Sequence, residues 1–264
     1  MTDLPVVTMS RRKILMGLAA GYVVPLAACA DNPALGRSQF MVVSDAQLAQ
    51  MADQTWQDAL SQERVSRDAN RNNQVRRVGE RIAGVSGLSQ YDWEFVVFES
   101  EQANAWALPN GKVAMYTGML DLMENDDQVA TVVGHEVAHV AGRHAAERAS
   151  QQMAAGLGTS LAAVAIGASG RGGENADMWA GVLGAGATFA VILPYSRSHE
   201  LEADRIGVDY MDRAGYRPSQ ALDFWSRMAG RDQTGRPPVF LSTHPDPENR
   251  IVQLRQHIQS RGYA

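Results

Sequence analysis

The 264 residues include a single cysteine, Cys29. That excludes an internal disulfide framework and any zinc site built from cysteine thiolates. Aromatic residues make up only 7% of the chain against twelve Met, which describes a soft aliphatic interior rather than a ring-rich sandwich. Acidic residues outnumber basic ones: the net charge is −5, and −7 once residues 1–28 are set aside, with no basic patch in the remainder. Nucleic acid is therefore not an expected partner. No apolar run reaches the roughly 20 residues of a permanent bilayer-spanning helix. What is present is 45% hydrophobic residues, ample for a real core in one or two domains.

The first 28 residues read as an address. Ser10-Arg11-Arg12-Lys13 is a basic start, and Ile14 to Leu26 is a short apolar stretch ending in Leu26-Ala27-Ala28-Cys29. Small residues directly before a lone cysteine resemble a bacterial lipobox, in which the cysteine is acylated and becomes the new N-terminus. A plain signal peptide followed by a buried cysteine is the blander reading. Arg11-Arg12 also resembles a twin-arginine export signal. Ala30 after the cysteine, rather than Asp, favours the outer membrane by lipoprotein sorting habit. The expected division is a signal peptide over 1–28, a tether over 29–43 containing Pro33 and Gly36, and one domain over 44–264.

Within that domain Ser44 and Gln47 form a capping-box signature that opens a helix to about Gln62. A second helix runs from about Asn72 to Ile82, with Val75, Val78 and Ile82 on one face. Three short extended runs follow: Trp93 to Phe98, Ala103 to Leu108, and Lys112 to Thr117, the last two around Pro109-Asn110-Gly111. The period turns helical again from Asp126 through at least Ala149. Residues 153–193 are rich in Ala and Gly and suit buried or interfacial helices better than membrane spans. Further helices are expected over Ser196 to Ala214, Pro218 to about Met228, and Asn249 to Ser260. The fold class is α+β and mainly helical.

The decisive segment is Gly134-His135-Glu136-Val137-Ala138-His139. Residues four apart project from one helix face, so both imidazoles can reach a single cation, one Zn²⁺ per chain. Glu136 then points beside the ion, where a general base must sit to take a proton from water. A third protein ligand is needed, with His144, His199, Glu200, Glu202 and His244 as downstream candidates. In one zinc-peptidase scheme a third His follows the second by six residues, but that position is Ala145. His144 is one residue short, and on a continuous helix that offset swings it about 100° away. In the other scheme a Glu on a second helix is followed one turn later by an Asp that orients a ligand His. Glu200 and Asp204 offer that spacing, while Glu202 lies about 200° around the helix from Glu200. Without the upstream pair, the same acids would read as a solvated face.

HEVAH, then SRSHELEAD, then THPDPENR, in that order, resembles the M48 peptidases: the Ste24 and HtpX-type membrane proteases and their periplasmic lipoprotein relatives. The resemblance covers roughly Gln74 to Gln256. It implies a zincin-like domain with a small β-sheet and a central HExxH helix, with His135, His139 and Glu200 as zinc ligands and Glu136 as base. It also implies that His244 and Arg250 stabilise the oxyanion, and that Asn104-Ala105-Trp106 belongs to an edge strand beside the cleft that pairs with extended substrate. Integral-membrane members carry spanning helices that this chain lacks, so a lipid on Cys29 would replace them. Some periplasmic relatives append helical repeats, and none follows here.

The expected function is zinc-dependent cleavage of unfolded or damaged cell-envelope polypeptides at the periplasmic face of the outer membrane. The alternatives are a lipid-anchored, chaperone-like binding factor with secondary proteolysis, and a structural lipoprotein with incidental histidines. Cleavage specificity and oligomeric state are not legible.

Overall fold

A computed structural model describes residues 29–165, 195–232 and 238–263, with side chains left out over 155–165 and 231–232. The expected signal peptide and most of the Ala/Gly-rich 153–193 segment lie outside the described residues. Five strands and nine helices are described: β1 Cys29–Asn32, β2 Arg37–Phe40, α1 Asp45–Gln62, α2 Ala69–Val85, β3 Glu94–Phe98, β4 Ala105–Ala107, β5 Lys112–Tyr116, α3 Thr117–Leu120, α4 Asp126–Ala141, α5 His144–Ala165, α6 Arg197–Arg213, α7 Ser219–Asp232, α8 Val239–Thr243 and α9 Pro247–Arg261. None of the described helices is long and apolar enough to cross a membrane.

Local signals explain most of these boundaries. Ser44 accepts from the backbone of Gln47 while the Gln47 side chain returns to the cap, the complete capping box at the start of α1. Asp68 caps α2, Asn125 caps α4 and Ser196 caps α6. Gly215, at φ +75°, follows α6 in the left-handed conformation that glycine adopts without strain.

β3 and β5 pair in parallel, and β4 pairs antiparallel with β5, giving the order β3-β5-β4. β4 is therefore an edge strand. Asn104 O and Leu108 N bond to β5, so by strand alternation the backbone groups of Ala105 and Ala107 point away from β5, although all three β4 residues are buried.

Helix α4 is buried continuously from Gln128 to Ala141, which places it at the centre of the molecule. Val129, Val132, Val133 and Val137 join Val75, Val78 and Ile82 of α2 and Met211 of α6 in one core. α4 packs most extensively on α6. A glycine from each helix meets at the crossing: a Cβ at Gly134 would lie 3.0 Å from Gly207 O, and a Cβ at Gly207 would lie 3.0 Å from Gly134 C. The two backbones approach that closely only because neither position carries a side chain.

The structure differs from the sequence reading in two places. Residues 29–43, expected as a tether, contain an antiparallel hairpin of β1 and β2 docked on the domain. Asn32 donates to Ala141 O and Gln39 to Gly142 O, satisfying carbonyls at the end of α4. The helix expected to continue from Asp126 through Ala149 is broken: α4 stops at Ala141, Arg143 adopts φ +51°, and α5 begins at His144. A side chain on Gly207 tests the close crossing. Gly207→Val is expected to lower the unfolding free energy by about 1–3 kcal/mol in a urea titration. Parent-like stability would show that α4 and α6 can part without cost.

Candidate metal centre

His135 and His139 lie one turn apart on α4, their ring centroids 4.6 Å apart. Their Nε2 atoms are 3.0 Å from each other. Two lone pairs at that distance repel, but two donors of one tetrahedral zinc sit about 3.3 Å apart. Glu200 enters from the first turn of α6, its carboxylate oxygens each 3.5 Å from one Nε2. His244 follows α8 and supplies a fourth donor, and ligand atoms of all four residues fall within 4.8 Å of one another. All four are buried.

Outer partners select the ring tautomers. His135 Nδ1 lies 2.9 Å from Asp204 Oδ1, one turn beyond Glu200. A carboxylate only accepts, so Nδ1 carries a proton, and in the neutral ring that a metal would bind the Nε2 lone pair faces the cluster. His244 Nδ1 lies 3.2 Å from Phe240 O, and its ring stacks on Phe240 at 3.9 Å. The Thr243 hydroxyl lies closer to the same Nδ1, at 2.9 Å, so this nitrogen is held by a hydroxyl and a carbonyl while Nε2 faces the cluster. Tyr195 stacks on His139 at 3.9 Å.

Arg250, one turn into α9, gives Nε and Nη2 to Asp204 at 2.7 Å each. Its Nη1 pairs with Glu200 Oε2 at 2.8 Å. That last contact is an ion pair without hydrogen-bond geometry, since both Glu200 oxygens are without a hydrogen-bond partner. Two guanidinium nitrogens are thus turned to Asp204 behind the donor set and the third to Glu200 within it. The oxyanion role implied for Arg250 does not match this orientation, in which it clamps Asp204 and Glu200. Burial opposes ionisation of Glu200, but His244, Arg250 and His135 together hold its carboxyl at about 2.

Glu136 stands beside the cluster, with Oε1 3.5 Å from His244 Nε2. Burial pushes its carboxyl up to about 7. Four buried atoms here have no hydrogen-bond partner: Glu136 Oε1, both Glu200 oxygens and His244 Nε2. Acceptors left bare together in a protein interior are costly unless a cation meets them. The residues therefore fit a divalent ion, and a mixed imidazole–carboxylate set suits zinc.

Of the edge-strand residues, Asn104, Ala105 and Trp106 line the space at Glu136 together with Tyr195, Thr243 and His244. The Trp106 ring also packs into a core with Trp56 and Phe98. That space is about 10 Å³, room for about one water. A larger cavity of about 360 Å³ opens beside His139, walled by Leu48, Tyr91, Pro109 and Tyr195. Cys29 is exposed in β1, at the start of the hairpin. Sequence reasoning missed Tyr195, which has no local spacing signal linking it to the His pair. It placed His144 away from the ion, and His144 does stand outside the donor cluster. In the structure His144 lies against the back of His139, at 2.8 Å between Nδ1 atoms.

A central HExxH helix beside a small mixed sheet, with a glutamate from a second helix closing on both histidines, defines a zincin-like metallopeptidase domain. The model of "Peptidase family M48" matches residues 69–258, and the chain belongs to that family. It is 36% identical to mitochondrial metalloendopeptidase OMA1 of Schizosaccharomyces pombe over 69% of this chain and 51% of that protein. It is 26% identical to the beta-barrel assembly-enhancing protease of Escherichia coli K12, over 92% of this chain and 50% of that one. The chain spans about half the length of these two curated relatives.

The pH dependence of metal binding follows from His135. Burial and Arg250 disfavour its charge, but Asp204 and Glu200 outweigh them and raise it to about 9 without a cation. A metal at Nε2 must displace that proton. Zinc affinity is therefore expected to rise with pH up to about 9, by about tenfold per unit where one proton is released. Chelator competition across pH measures this, and a flat profile would show that His135 is already neutral.

Proposed function

We propose that the protein is a zinc-dependent endopeptidase, with one zinc per chain held by His135, His139 and Glu200. The observation that carries the reading is Glu136: a fully buried carboxylate with one oxygen unpartnered, next to a four-donor cluster. Zinc in such a set supplies Lewis acidity, polarising a peptide carbonyl and acidifying water. Glu136 takes the proton from the attacking water, and its raised pKa keeps that proton available for the leaving amine. Asp204 fixes the tautomer of His135, and Arg250 holds Asp204 and Glu200 in register. His244 remains as the group facing both Glu136 and the developing oxyanion.

The substrate class we infer is extended polypeptide. The backbone of Ala105, turned away from β5, can pair with a peptide strand, giving affinity with little side-chain selectivity, while the Ala107 backbone already bonds to Glu136. The roughly 10 Å³ at Glu136 admits no peptide, so His244, Thr243 or Tyr195 must move for a substrate to enter. The cavity beside His139 is positioned to take an apolar side chain. Unfolded or damaged envelope proteins suit this pairing mode, and the Escherichia coli relative's name also points to the envelope. We place the protein at the periplasmic face of the outer membrane, anchored by lipid on Cys29 after removal of residues 1–28. The hairpin then follows directly on the anchor, with the catalytic domain over 44–264.

The full chain purified in detergent is expected to carry about one zinc and to degrade casein. Glu136→Gln is expected to keep the zinc and lose at least about 100-fold in rate. Glu200→Ala is expected to lose most of the metal. Casein cleavage undiminished in Glu136→Gln would remove Glu136 as the base, and zinc retained by Glu200→Ala would remove Glu200 as a ligand.

A further inference from the structure

His135 and His139 face the same cluster, and each needs its proton held on Nδ1. Asp204 does this for His135 directly. Nothing in the proposed site does it for His139, whose Nδ1 meets another histidine, His144, at 2.8 Å. His144 is fully buried, stacks on His199 at 4.5 Å, and places its Nε2 3.2 Å from Glu202 Oε2. Glu202 in turn receives Arg37 Nε at 2.7 Å and Nη2 at 2.8 Å. The same guanidinium reaches Glu147 through Nη1 and Nη2, at 2.9 Å each.

The direction of this chain is set by its far end. The Glu202 carboxylate only accepts, so His144 carries its proton on Nε2. His144 Nδ1 is then an acceptor, which places the proton of His139 on Nδ1. The lone pair of His139 Nε2 is left facing His135 and Glu200. With His144 neutral, as its burial favours, one carboxylate thus sets two histidine tautomers in sequence. Local backbone geometry is shaped for the contact. Arg143 at φ +51° turns the chain back after α4, and a Cβ at Gly142 would overlap His144 Nε2.

We propose that His144, Glu202 and Arg37 are positioning residues of the metal centre, fixing the tautomer and orientation of His139 from the side opposite to Asp204. The inference rests on the reading of His135, His139 and Glu200 as metal ligands. Arg37 comes from β2, so the N-terminal hairpin is a working part of the centre rather than a spacer. Gln39, also on β2, secures the arrangement by donating to Glu147 and to Gly142 O at 2.7 Å each. Arg37 is suited to the task because a planar guanidinium can bridge two carboxylates at once, whereas a lysine ammonium is a single point charge.

The test uses the full chain in detergent and measures zinc affinity by chelator competition, the d–d absorption of the cobalt-substituted protein, and thermal unfolding after chelation. Glu202→Ala and Arg37→Ala are expected to weaken zinc about 10–100-fold and to shift the cobalt bands. Arg37→Lys is expected to lose less, and Ser38→Ala, on the exposed side of the same strand, to bind as the parent does. A purely structural role for the hairpin would lower the unfolding temperature of the alanine variants while leaving zinc affinity and cobalt spectrum unchanged, and that result overturns the proposal. If the alanine variants do not fold, Arg37→Lys decides: a shifted spectrum with weaker zinc supports the relay, and a parent-like spectrum and affinity overturn it. A parent that binds no zinc would sink the ligand reading and this proposal together, whereas parent binding with indifferent variants sinks this one alone.

Discussion

The structure depends on bringing a fully buried carboxylate, Glu200, against two buried imidazoles without water to solvate any of them. Both Glu200 oxygens are without a hydrogen-bond partner, and the nearest positive group is the Arg250 guanidinium. Burying an isolated carboxylate costs far more than a typical domain can supply, so the surrounding charges are necessary for folding as well as for chemistry. Arg250 satisfies Asp204 on one side and draws in Glu200 on the other, with the Trp225 ring 4.7 Å beneath it. What remains uncompensated points into one small space, where a cation would complete the balance. A cluster of this kind is a poor way to gain stability and a good way to fix geometry.

Geometry here means the separation of α4 and α6. The Gly134–Gly207 contact brings the two backbones together, and it adjoins the first ligand in sequence, since Gly134 precedes His135. A carboxylate on a short Glu side chain can meet both Nε2 atoms only if its helix lies that near. The break at Gly142 and Arg143 works on the other side of α4. It returns the chain so that His144 and Glu147 of α5 face the back of His139 and the N-terminal hairpin. The centre is therefore gripped from two directions, by α9 behind His135 and by α5 with β2 behind His139.

The four-donor cluster draws on α4, α6 and the loop after α8, and the flanking residues are fixed by contacts outside it. Arg250 is committed to Asp204 behind the donor set and to Glu200 within it. His244 is held at Nδ1 by the Thr243 hydroxyl and Phe240 O, and its Nε2 faces the donor cluster and Glu136. The edge strand is where the resemblance places it, yet the space in front of it is nearly closed. Side chains of Thr243, His244 and Tyr195 fill that space from the opposite side.

The sequence by itself determined the parts whose chemistry is local. The i, i+4 pair of His135 and His139, the adjacent Glu136 and the Glu200–Asp204 spacing follow from one helical period each, and the caps at Ser44, Asn125 and Ser196 are read from single residues. The hairpin over 29–40 was not legible, because its strands are four residues each and take their stability from docking on α4 and α5 rather than from an alternating pattern of their own. His144 stands outside the donor set as its spacing indicated, but its contact with the back of His139 was not legible, because helical periodicity carries no sign of a reversal that depends on φ +51° at a non-glycine residue. Tyr195, Arg37 and Glu202 reach the site across separations that local rules do not span. Tertiary structure decided which charge answers which: a carboxylate on a helix looks the same in sequence whether it meets a metal, an arginine or water, and only packing removes the water and makes the choice.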